Sequence, residues 1–532
     1  MKTSRRYIIA FILILLAAAA IRLPRLAVRP LHTDEAIHAV KLGDLLEHHK
    51  YIYDSQEYHG PALNYFTLIP AWLKAEHTYR QLHESTLRIV PVFFGWLLVV
   101  LLWGWRKSLG WPAVLGAAFL TAFSPAMVFY SRYYIMEILL VAFSFAVMVC
   151  GYKYFITRQL RWALLAGISI GLMHASKETC VFPLAAMGLA LLLVWLLWGR
   201  KEYSWAQVNK LLAPRPVAVA VVSAMLISAL LFSAFLTNPR GIIDSYLTYA
   251  SYFHKAGNFD FHIYPWHYYF KLLFFNHNPG QPLWTEAFIL ITGIIGIIAV
   301  LRGKGFRRES LLLLRFIALY TIILTVIYSA IPYKTPWIAL GFLHGFILCA
   351  GIGMAFLLNR KTKIAQKIIL LVILSAAGLH LAWQAWQNNF KYYYDPGNPW
   401  VYSHPGPDVF AIRDRIKAIA GVHPDGNNMV IEVVCPGADY WPLPWYLREF
   451  PNIGWWNAVD MQTPAAPVIL ALPQVEEDII YKLYEVPPPG EKTLYTPLFD
   501  GYMEIRPRIE IRGYVQRELW ERCEAERPAN GQ

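Results

Sequence analysis

Charged residues are scarce in this chain. They make up 16% of its 532 residues, against 57% hydrophobic residues, and the mean hydropathy is +0.37. So apolar a composition excludes an ordinary soluble globular protein. Cysteine is scarce as well, with five residues and no Cys-x-x-Cys pair, so the spacing typical of cysteine-ligated metal sites is absent from the sequence. The chain is therefore predicted to be an α-helical membrane protein.

Long apolar runs are abundant, and eleven of them approach the roughly 17 to 25 residues that cross a bilayer as a helix. The first and fifth runs are short for this purpose. The eleven predicted spans cover residues 7–21, 88–105, 112–130, 134–156, 162–174, 180–198, 217–236, 284–301, 311–331, 337–358 and 368–386.

The net charge of +13 comes mainly from short connectors between these runs. Basic residues cluster at 2–6, 106–107, 153–161, 200–215, 302–308 and 360–367, which is every second connector. This distribution follows the positive-inside rule, so it predicts a multi-pass plasma-membrane protein with a cytoplasmic N-terminus and argues against nucleic-acid binding. The long loops 22–87 and 237–283 and the C-terminal segment are then extracytoplasmic. A cleaved signal peptide is an alternative for the first run, and it leaves this topology unchanged.

The composition changes to polar and proline-rich after residue 388. We expect a membrane domain over residues 1–390 and a small soluble α/β domain over 391–532, with helices at 408–420 and 475–483 and strands at 429–435 and 468–472. Cys435 and Cys523 are the two cysteines of this domain. One disulfide between them is a possibility in an oxidising compartment, but we favour a buried Cys435 and a Cys523 in a frayed tail.

The first long loop carries the pair Asp34-Glu35 soon after the first span. Thr33 is a predicted N-cap, and two acidic residues suit the first turn of a helix lying on the membrane surface. The acidic pair can therefore be explained by the helix start alone, but a catalytic role is the alternative explanation. An enzyme that uses a lipid-linked sugar phosphate needs a carboxylate to accept the proton of the attacking hydroxyl, and Asp34 is our candidate for that base.

Isolated charged residues recur at the predicted outer ends of the spans, where an unpaired charge near the bilayer is costly. Cations among them are suited to hold the phosphate that leaves with the lipid. The alternative for each is an interfacial anchor or a local ion pair. The set consists of Arg132, Glu137, Lys177, Glu178, Arg240 and Lys334.

Several short motifs resemble those of the GT-C-fold membrane glycosyltransferases, a superfamily that includes protein mannosyltransferases and aminoarabinose transferases. The chain is most similar to its prokaryotic flippase-activity-associated members. The resemblance covers residues 1–390 far better than the tail, and the matching segments are 32–39, 58–61 with Tyr65, 131–137, 176–179 and 333–337.

The resemblance implies a catalytic role for Asp34 with its neighbour Glu35. It also implies a donor site at Arg132, Glu137 and Lys177, to which we add Lys334 and Arg240. Four further residues of the first loop are candidates for an acceptor or sugar pocket: His38, Tyr58, His59 and Tyr65.

The predicted activity is transfer of a sugar, with inversion, from a polyprenyl-phosphate donor to a lipid, glycan or protein acceptor at the outer membrane face. No cofactor is predicted. Oligosaccharyltransferases of similar architecture use a metal with an acidic pair near the third span and a Trp-Trp-Asp motif, whereas this chain has Asn457 after its Trp pair. A lipid-linked sugar flippase or its accessory protein remains an alternative, although a transporter is expected to place polar residues nearer the midplane. An inactive scaffold is a third possibility.

Overall fold

The computed structural model describes residues 5–54, 59–255, 262–303, 305–360 and 363–526. Most of this chain is helical. The α-helices are α1 (Arg5–Arg22), α2 (Thr33–His48), α3 (Ala62–Leu73), α4 (Glu84–Leu101), α5 (Arg106–Leu109), α6 (Trp111–Phe123), α7 (Pro125–Ser131), α8 (Glu137–Thr157), α9 (Leu160–Ser176), α10 (Val181–Leu197), α11 (Trp205–Leu211), α12 (Pro214–Phe232), α13 (Arg240–Lys255), α14 (Tyr268–Phe274), α15 (Ala287–Arg302), α16 (Arg308–Ala330), α17 (Leu340–Asn359), α18 (Ile364–Phe390), α19 (Asp408–Val422), α20 (Leu443–Tyr446), α21 (Glu476–Tyr484) and α22 (Arg517–Glu526).

The predicted polytopic architecture is confirmed. Within the described ranges, seven helical segments are long and apolar enough to cross a membrane, and α6 and α7 make an eighth if this bent pair is one span. The remaining predicted spans correspond to two shorter apolar helices, α9 and α15, and to α1, which carries arginines at both ends. Every predicted run therefore forms a helix. Three of the eleven helices are too short or too charged to be identified as membrane spans by length and composition.

Close helix crossings hold the bundle together. On α15, a Cβ added to Gly296 would lie 2.0 Å from the carbonyl of Cys349 on α17. On α9, one added to Gly167 would lie 2.1 Å from the carbonyl of Ala220 on α12. Small residues at such crossings let the two backbones approach closely. Helices in a bilayer associate largely through such packing, because the hydrophobic effect does not drive them together in lipid.

A bend of 57° separates α6 from α7. The Glu286 carboxylate accepts hydrogen bonds at this break from the Ser124 hydroxyl and from the backbone N–H of Ala126, both at 2.9 Å. It thereby satisfies donors that the interrupted helix leaves without intrahelical partners. The bend aims the C-terminal end of α7 and the following residues at the first loop.

The first loop differs in two respects from its prediction. Thr33 was predicted as the N-cap of α2, but the helix already begins at Thr33, and its N-cap is His32, whose Nδ1 accepts from the backbone N–H of Asp34 at 3.1 Å. The helix is also not simply laid on the membrane surface. It packs against α3 and against α20 of the C-terminal region, and residues such as Leu42 are fully buried.

The C-terminal region forms the predicted small α/β unit. Its strands are β1 (Ile431–Val434), β2 (Ile453–Trp456), β3 (Val468–Ala471), β4 (Tyr495–Pro497), β5 (Glu504–Arg506), β6 (Ile509–Glu510) and β7 (Arg512–Gln516). Five of them make a sheet of order β2-β1-β3-β7-β4, in which β1 is parallel to both neighbours and β7 is antiparallel to both of its own. Cys435 is a buried free cysteine at the end of β1, whereas Cys523 is buried on α22 instead of lying in a frayed tail.

This unit docks directly onto the membrane part. The Tyr446 hydroxyl accepts from the backbone N–H of Leu31 at 2.7 Å, and the Trp445 indole donates to Glu84 at 2.9 Å. The second long loop joins the same face, since the Gln281 amide donates to Asp395 at 2.5 Å. Both long loops and the C-terminal unit therefore meet at one end of the bundle.

Candidate active site

Glu35 is a buried anchor of the first loop. Arg88 donates to its carboxylate from Nε and Nη2, each at 2.7 Å. The backbone N–H groups of Tyr134 and His32 also donate to it, at 2.8 and 3.1 Å. A bidentate arginine and two backbone donors occupy both oxygens, so Glu35 fixes α2 against α4 and the segment after α7.

Four buried arginines surround this anchor, and their other hydrogen-bond partners are mostly backbone carbonyls. Arg88 donates to three carbonyls between residues 26 and 30 at 2.6 to 3.1 Å. Arg132 donates to three between residues 22 and 25 at 2.7 to 3.1 Å. Arg22 bonds carbonyls of α1 and α6, and Arg29 bonds the carbonyl of Arg132. We call these four residues the arginine clamp.

The arginine clamp has an electrostatic consequence. One of its four guanidinium groups, that of Arg88, pairs with the Glu35 carboxylate, whereas the other three bond backbone carbonyls, and guanidinium stays protonated in proteins. The clamp also satisfies carbonyls at the C-terminal end of α1, where a helix favours cations. The clamp therefore holds more positive than negative charge, and Arg88 joins it to the first turn of α2 through Glu35.

Asp34 differs from its neighbour in being open to solvent. Its side chain is 42% exposed, and its nearest basic atom is the Nδ1 of His32 at 3.7 Å. Burial lowers the pKa of His32, and Asp34 and Glu35 oppose that shift without cancelling it. The structure therefore holds a carboxylate at a fixed helix N-terminus, next to a histidine that favours the neutral form.

His38 and Tyr333 connect Asp34 electrostatically with a second charged group. Burial, together with His59 and Lys177, lowers the pKa of His38 to about 4, while Asp34 opposes the shift. Burial raises the pKa of Tyr333, and Asp34 adds to this whereas Lys177 opposes it. Both side chains therefore experience the charges of Asp34 and of Lys177.

Two polar pairs make up the second charged group, at the junction of α8, α9 and α10. The Lys177 ammonium donates to Glu137 at 2.5 Å, and both side chains are buried. The His59 ring bonds Glu178 at 2.9 Å. Burial disfavours the charge on Lys177, yet Glu137 and Glu178 outweigh it, so the pKa of Lys177 is raised.

The position of His59 depends on the tight approach of the residue that follows it. A Cβ added to Gly60 would lie 2.2 Å from the carbonyl of Ala175, near the end of α9. No other residue type fits without a backbone shift. The turn at 59–61 is therefore pressed against α9, which brings the His59 ring to Glu178.

The segment between α18 and α19 closes another side of the site. The His404 ring lies 5.0 Å from that of His32 and 5.1 Å from that of Tyr133, measured between centroids. Tyr402 bonds the ring of His262 from the second long loop. The Tyr133 hydroxyl and the Nε2 of His404 are buried and make no hydrogen bond among the described residues.

A narrow cavity of about 30 Å³ extends into the bundle from the Glu137–Lys177 pair. Its outer end is polar, and its walls come from α8, α10, α16 and α17, with Leu140, Tyr328 and His344 among the lining residues. Within the part of the chain that the structure describes, no group of three or more His, Cys, Asp or Glu side chains is placed to hold a metal ion.

The remaining predicted site residues are distributed unevenly. Lys334 is buried, donates to the carbonyl of Ile331 and lies 6.0 Å from the ring of Tyr269. Tyr65 packs between Tyr51 and Phe235, away from the charged pairs. Arg240 has an 84% exposed side chain and pairs with Asp244 one turn along α13, so it does not join the cluster. Tyr58 lies outside the described residues.

Sequence reasoning missed several contributors to this site, among them Arg29, Arg88, His262 and His404. Arg88 carried a usable signal, because an arginine at the start of an apolar run needs a partner. The other three gave none, since each is brought in by a loop whose path the sequence does not reveal.

Comparison with known proteins agrees with this architecture. Residues 63–237, about a third of the chain, match the family model described as dolichyl-phosphate-mannose-protein mannosyltransferase. The matched segment contains Arg132, Glu137 and Lys177 but not Asp34. Comparison of the sequence with curated proteins found no match.

Solved structures resemble the whole chain. ArnT from Cupriavidus metallidurans bound to undecaprenyl phosphate matches with a TM-score of 0.64 at 12% identity, over 96% of this chain and 98% of that one. The oligosaccharyltransferase AglB from Archaeoglobus fulgidus, in complex with an inhibitory peptide and a dolichol-phosphate, matches with a TM-score of 0.55 at 12% identity. That match covers 90% of this chain and 70% of AglB.

The chain therefore has the fold of these GT-C glycosyltransferases, with a small C-terminal sheet region, and the fold predicted from its short motifs is confirmed. Its similarity to the flippase-activity-associated members stays a prediction.

Proposed function

We propose that this protein transfers a sugar from a polyprenyl-phosphate donor to a hydroxyl-bearing acceptor, with Asp34 as the general base. The observation that carries the proposal is the difference between two adjacent acidic residues, of which one is buried and fully hydrogen-bonded and the other is open to solvent. Glu35 is fully engaged by the arginine clamp and two backbone donors, so it has a positioning role. Asp34, held one residue before it, keeps a solvent-accessible carboxylate.

The proposed step is a single displacement. The acceptor oxygen attacks the anomeric carbon while the bond from that carbon to the donor phosphate breaks. The acceptor proton passes to the Asp34 carboxylate, and polyprenyl phosphate leaves with the electron pair. A base within hydrogen-bonding reach of the attacking hydroxyl contributes about 10² to 10⁴-fold to such a reaction.

Lys177 and Lys334 are the proposed phosphate contacts. Lys177 stays protonated because Glu137 and Glu178 raise its pKa, and it heads the narrow cavity into the bundle. A donor phosphate here would compete with Glu137 for the ammonium, as a charge-assisted contact does. ArnT, which has the same fold, is solved with undecaprenyl phosphate. Arg132 we assign to positioning, since its guanidinium bonds three backbone carbonyls.

The acceptor side has its own candidates. Tyr133 Oη and His404 Nε2 are buried polar atoms without a partner among the described residues, and such atoms cost about 1–3 kcal/mol each. An acceptor hydroxyl beside Asp34 would satisfy them. We propose that His38 and His59 line the same pocket.

The test follows the labelled sugar of a polyprenyl-phosphate donor given to the purified protein in the presence of a membrane extract as the source of acceptors. Transfer yields the sugar in a new linkage and free polyprenyl phosphate. Asp34→Asn is expected to lose at least tenfold of this activity, whereas Asp44→Asn, an exposed acid on the same helix, should retain it. A flippase would instead move the donor intact across reconstituted vesicles, and intact translocation without a new linkage would contradict the proposal.

A further inference from the structure

A second and larger cavity lies at the end of the bundle opposite Asp34. Its volume is about 650 Å³, and the ends of α1, α5, α6, α16 and α17 enclose it. Binding sites for small molecules typically measure about 300–1,000 Å³. The cavity is therefore large enough for a ligand, and it lies too far along the same helices to belong to the candidate active site.

The polar lining of this cavity is cationic. Arg106, Lys107 and Arg307 contribute to it, Ser310 and Asn359 add uncharged polar groups, and the residues that line it include no aspartate or glutamate. The positive-inside distribution accounts for basic residues at this end of the bundle. The positive-inside rule does not explain why three basic residues line the same cavity.

The rest of the lining is apolar and aromatic. Leu314, Ile352 and Phe356 form its inner wall and lie on membrane-spanning helices. At its rim the rings of Tyr7 and Trp111 stack, with centroids 5.9 Å apart. Such amphipathic rings favour the headgroup level of a bilayer. The ligand should therefore carry an anionic head and an apolar tail.

We propose that this cavity binds the phosphodiester headgroup of an anionic phospholipid, with an acyl chain against the apolar wall. The phosphate would take charge-assisted hydrogen bonds from the basic side chains. The lipid would come from the membrane leaflet opposite the candidate active site. It would link the segment 106–113 to the start of α16 and the end of α17.

The first experiment measures how short-chain lipids shift the melting temperature of the detergent-solubilised full chain. Phosphatidylglycerol should raise it with at least tenfold tighter apparent affinity than phosphatidylcholine. The double variant Lys107→Gln/Arg307→Gln should lose this preference. Its matched control is Arg200→Gln/Lys201→Gln, which removes two exposed cations that do not line the cavity, and it should keep the preference.

A second experiment uses the unmodified chain and so does not depend on the folding of a variant. Photoactivatable phosphatidylglycerol should crosslink within residues 106–113 and 305–314. Crosslinks confined to other segments would overturn the proposal, as would equal shifts by the two lipids or a double variant that behaves like its control. Inorganic phosphate at the same concentration should have no effect. An equal shift by phosphate alone would show a site for a soluble anion and overturn the assignment to a lipid.

Discussion

Two isosteric substitutions at adjacent residues should separate stability from activity. Glu35→Gln leaves the shape of the buried side chain but removes the negative charge that pairs with Arg88. The guanidinium then remains buried against neutral acceptors, which are three backbone carbonyls and the new amide oxygen. Breaking a buried ion pair by removing one partner costs about 3–5 kcal/mol, so this variant should be strongly destabilised.

Asp34→Asn should retain most of the stability of the protein and lose its transfer activity. The side chain is 42% exposed, and the ring nitrogen of His32 lies 3.7 Å from its carboxylate. The loss of a favourable charge at the start of a helix costs about 0.3–1 kcal/mol. The amide cannot accept a proton, so transfer should fall by about 10² to 10⁴-fold.

The assay pairs thermal unfolding in detergent with sugar transfer for Glu35→Gln, Asp34→Asn, Arg88→Gln and the double variant Glu35→Gln/Arg88→Gln. Because the double variant also removes the buried cation, it should be less destabilised than the sum of the two single changes. The reasoning is refuted if Glu35→Gln melts like the wild type, or if Asp34→Asn lowers stability as much as Glu35→Gln does.

Three further outcomes are expected. Gly60→Ala should abolish sugar transfer, because the added Cβ would lie 2.2 Å from the Ala175 carbonyl. The control Gly151→Ala places its Cβ with nothing within 4 Å and should retain transfer. Equal activity of the two variants would contradict the role of the turn at 59–61. His38 has a pKa of about 4 in the folded chain against about 6.5 when unfolded, so its contribution to stability is unchanged above pH 6.5 and falls as the pH drops from 6.5 towards 4. Melting temperatures between pH 7 and 4.5 should therefore decrease less in His38→Gln than in the wild type, and parallel decreases would contradict this. Lys177→Gln should weaken binding of polyprenyl phosphate at least tenfold in a direct binding measurement, while the exposed Arg240→Gln should not; unchanged affinity in both would remove Lys177 from the donor site.

The helices could be predicted from the sequence because few backbone structures are stable in the hydrocarbon core of a membrane. A run of about 20 apolar residues must satisfy its backbone internally, and a helix does so wherever its neighbours lie. The positions of the eleven apolar runs follow from such local patterns, as do α19, α21, β1 and β3 of the C-terminal unit. The other five strands of that unit and its helices α20 and α22 were not predicted. The bend between α6 and α7 has a local signal in Pro125, which cannot continue a helix. Its acceptor does not, since the Glu286 carboxylate that bonds Ser124 lies more than 150 residues away in the chain.

The candidate site could be predicted only in part. The sequence indicates which isolated charges need partners, but not what those partners are. Arg132 illustrates the difference: an arginine at a span end suits a phosphate, yet its guanidinium bonds the backbone of residues 22–25. Arg240 has the same sequence signal and lies in solvent. Whether such a cation contacts a ligand, a carbonyl or water depends on loop paths that local patterns do not determine.

The segment between α18 and α19 has a consequence for the biosynthesis of this protein. His404 covers His32 and Tyr133, but it is synthesised about 370 residues after His32. The membrane helices are therefore made and inserted while the pocket beside Asp34 is still unfinished. A nascent or prematurely terminated chain would lack one wall of its own site. Under the proposed function, a chain that ends before His404 is therefore expected to be inactive even if all its membrane helices are inserted.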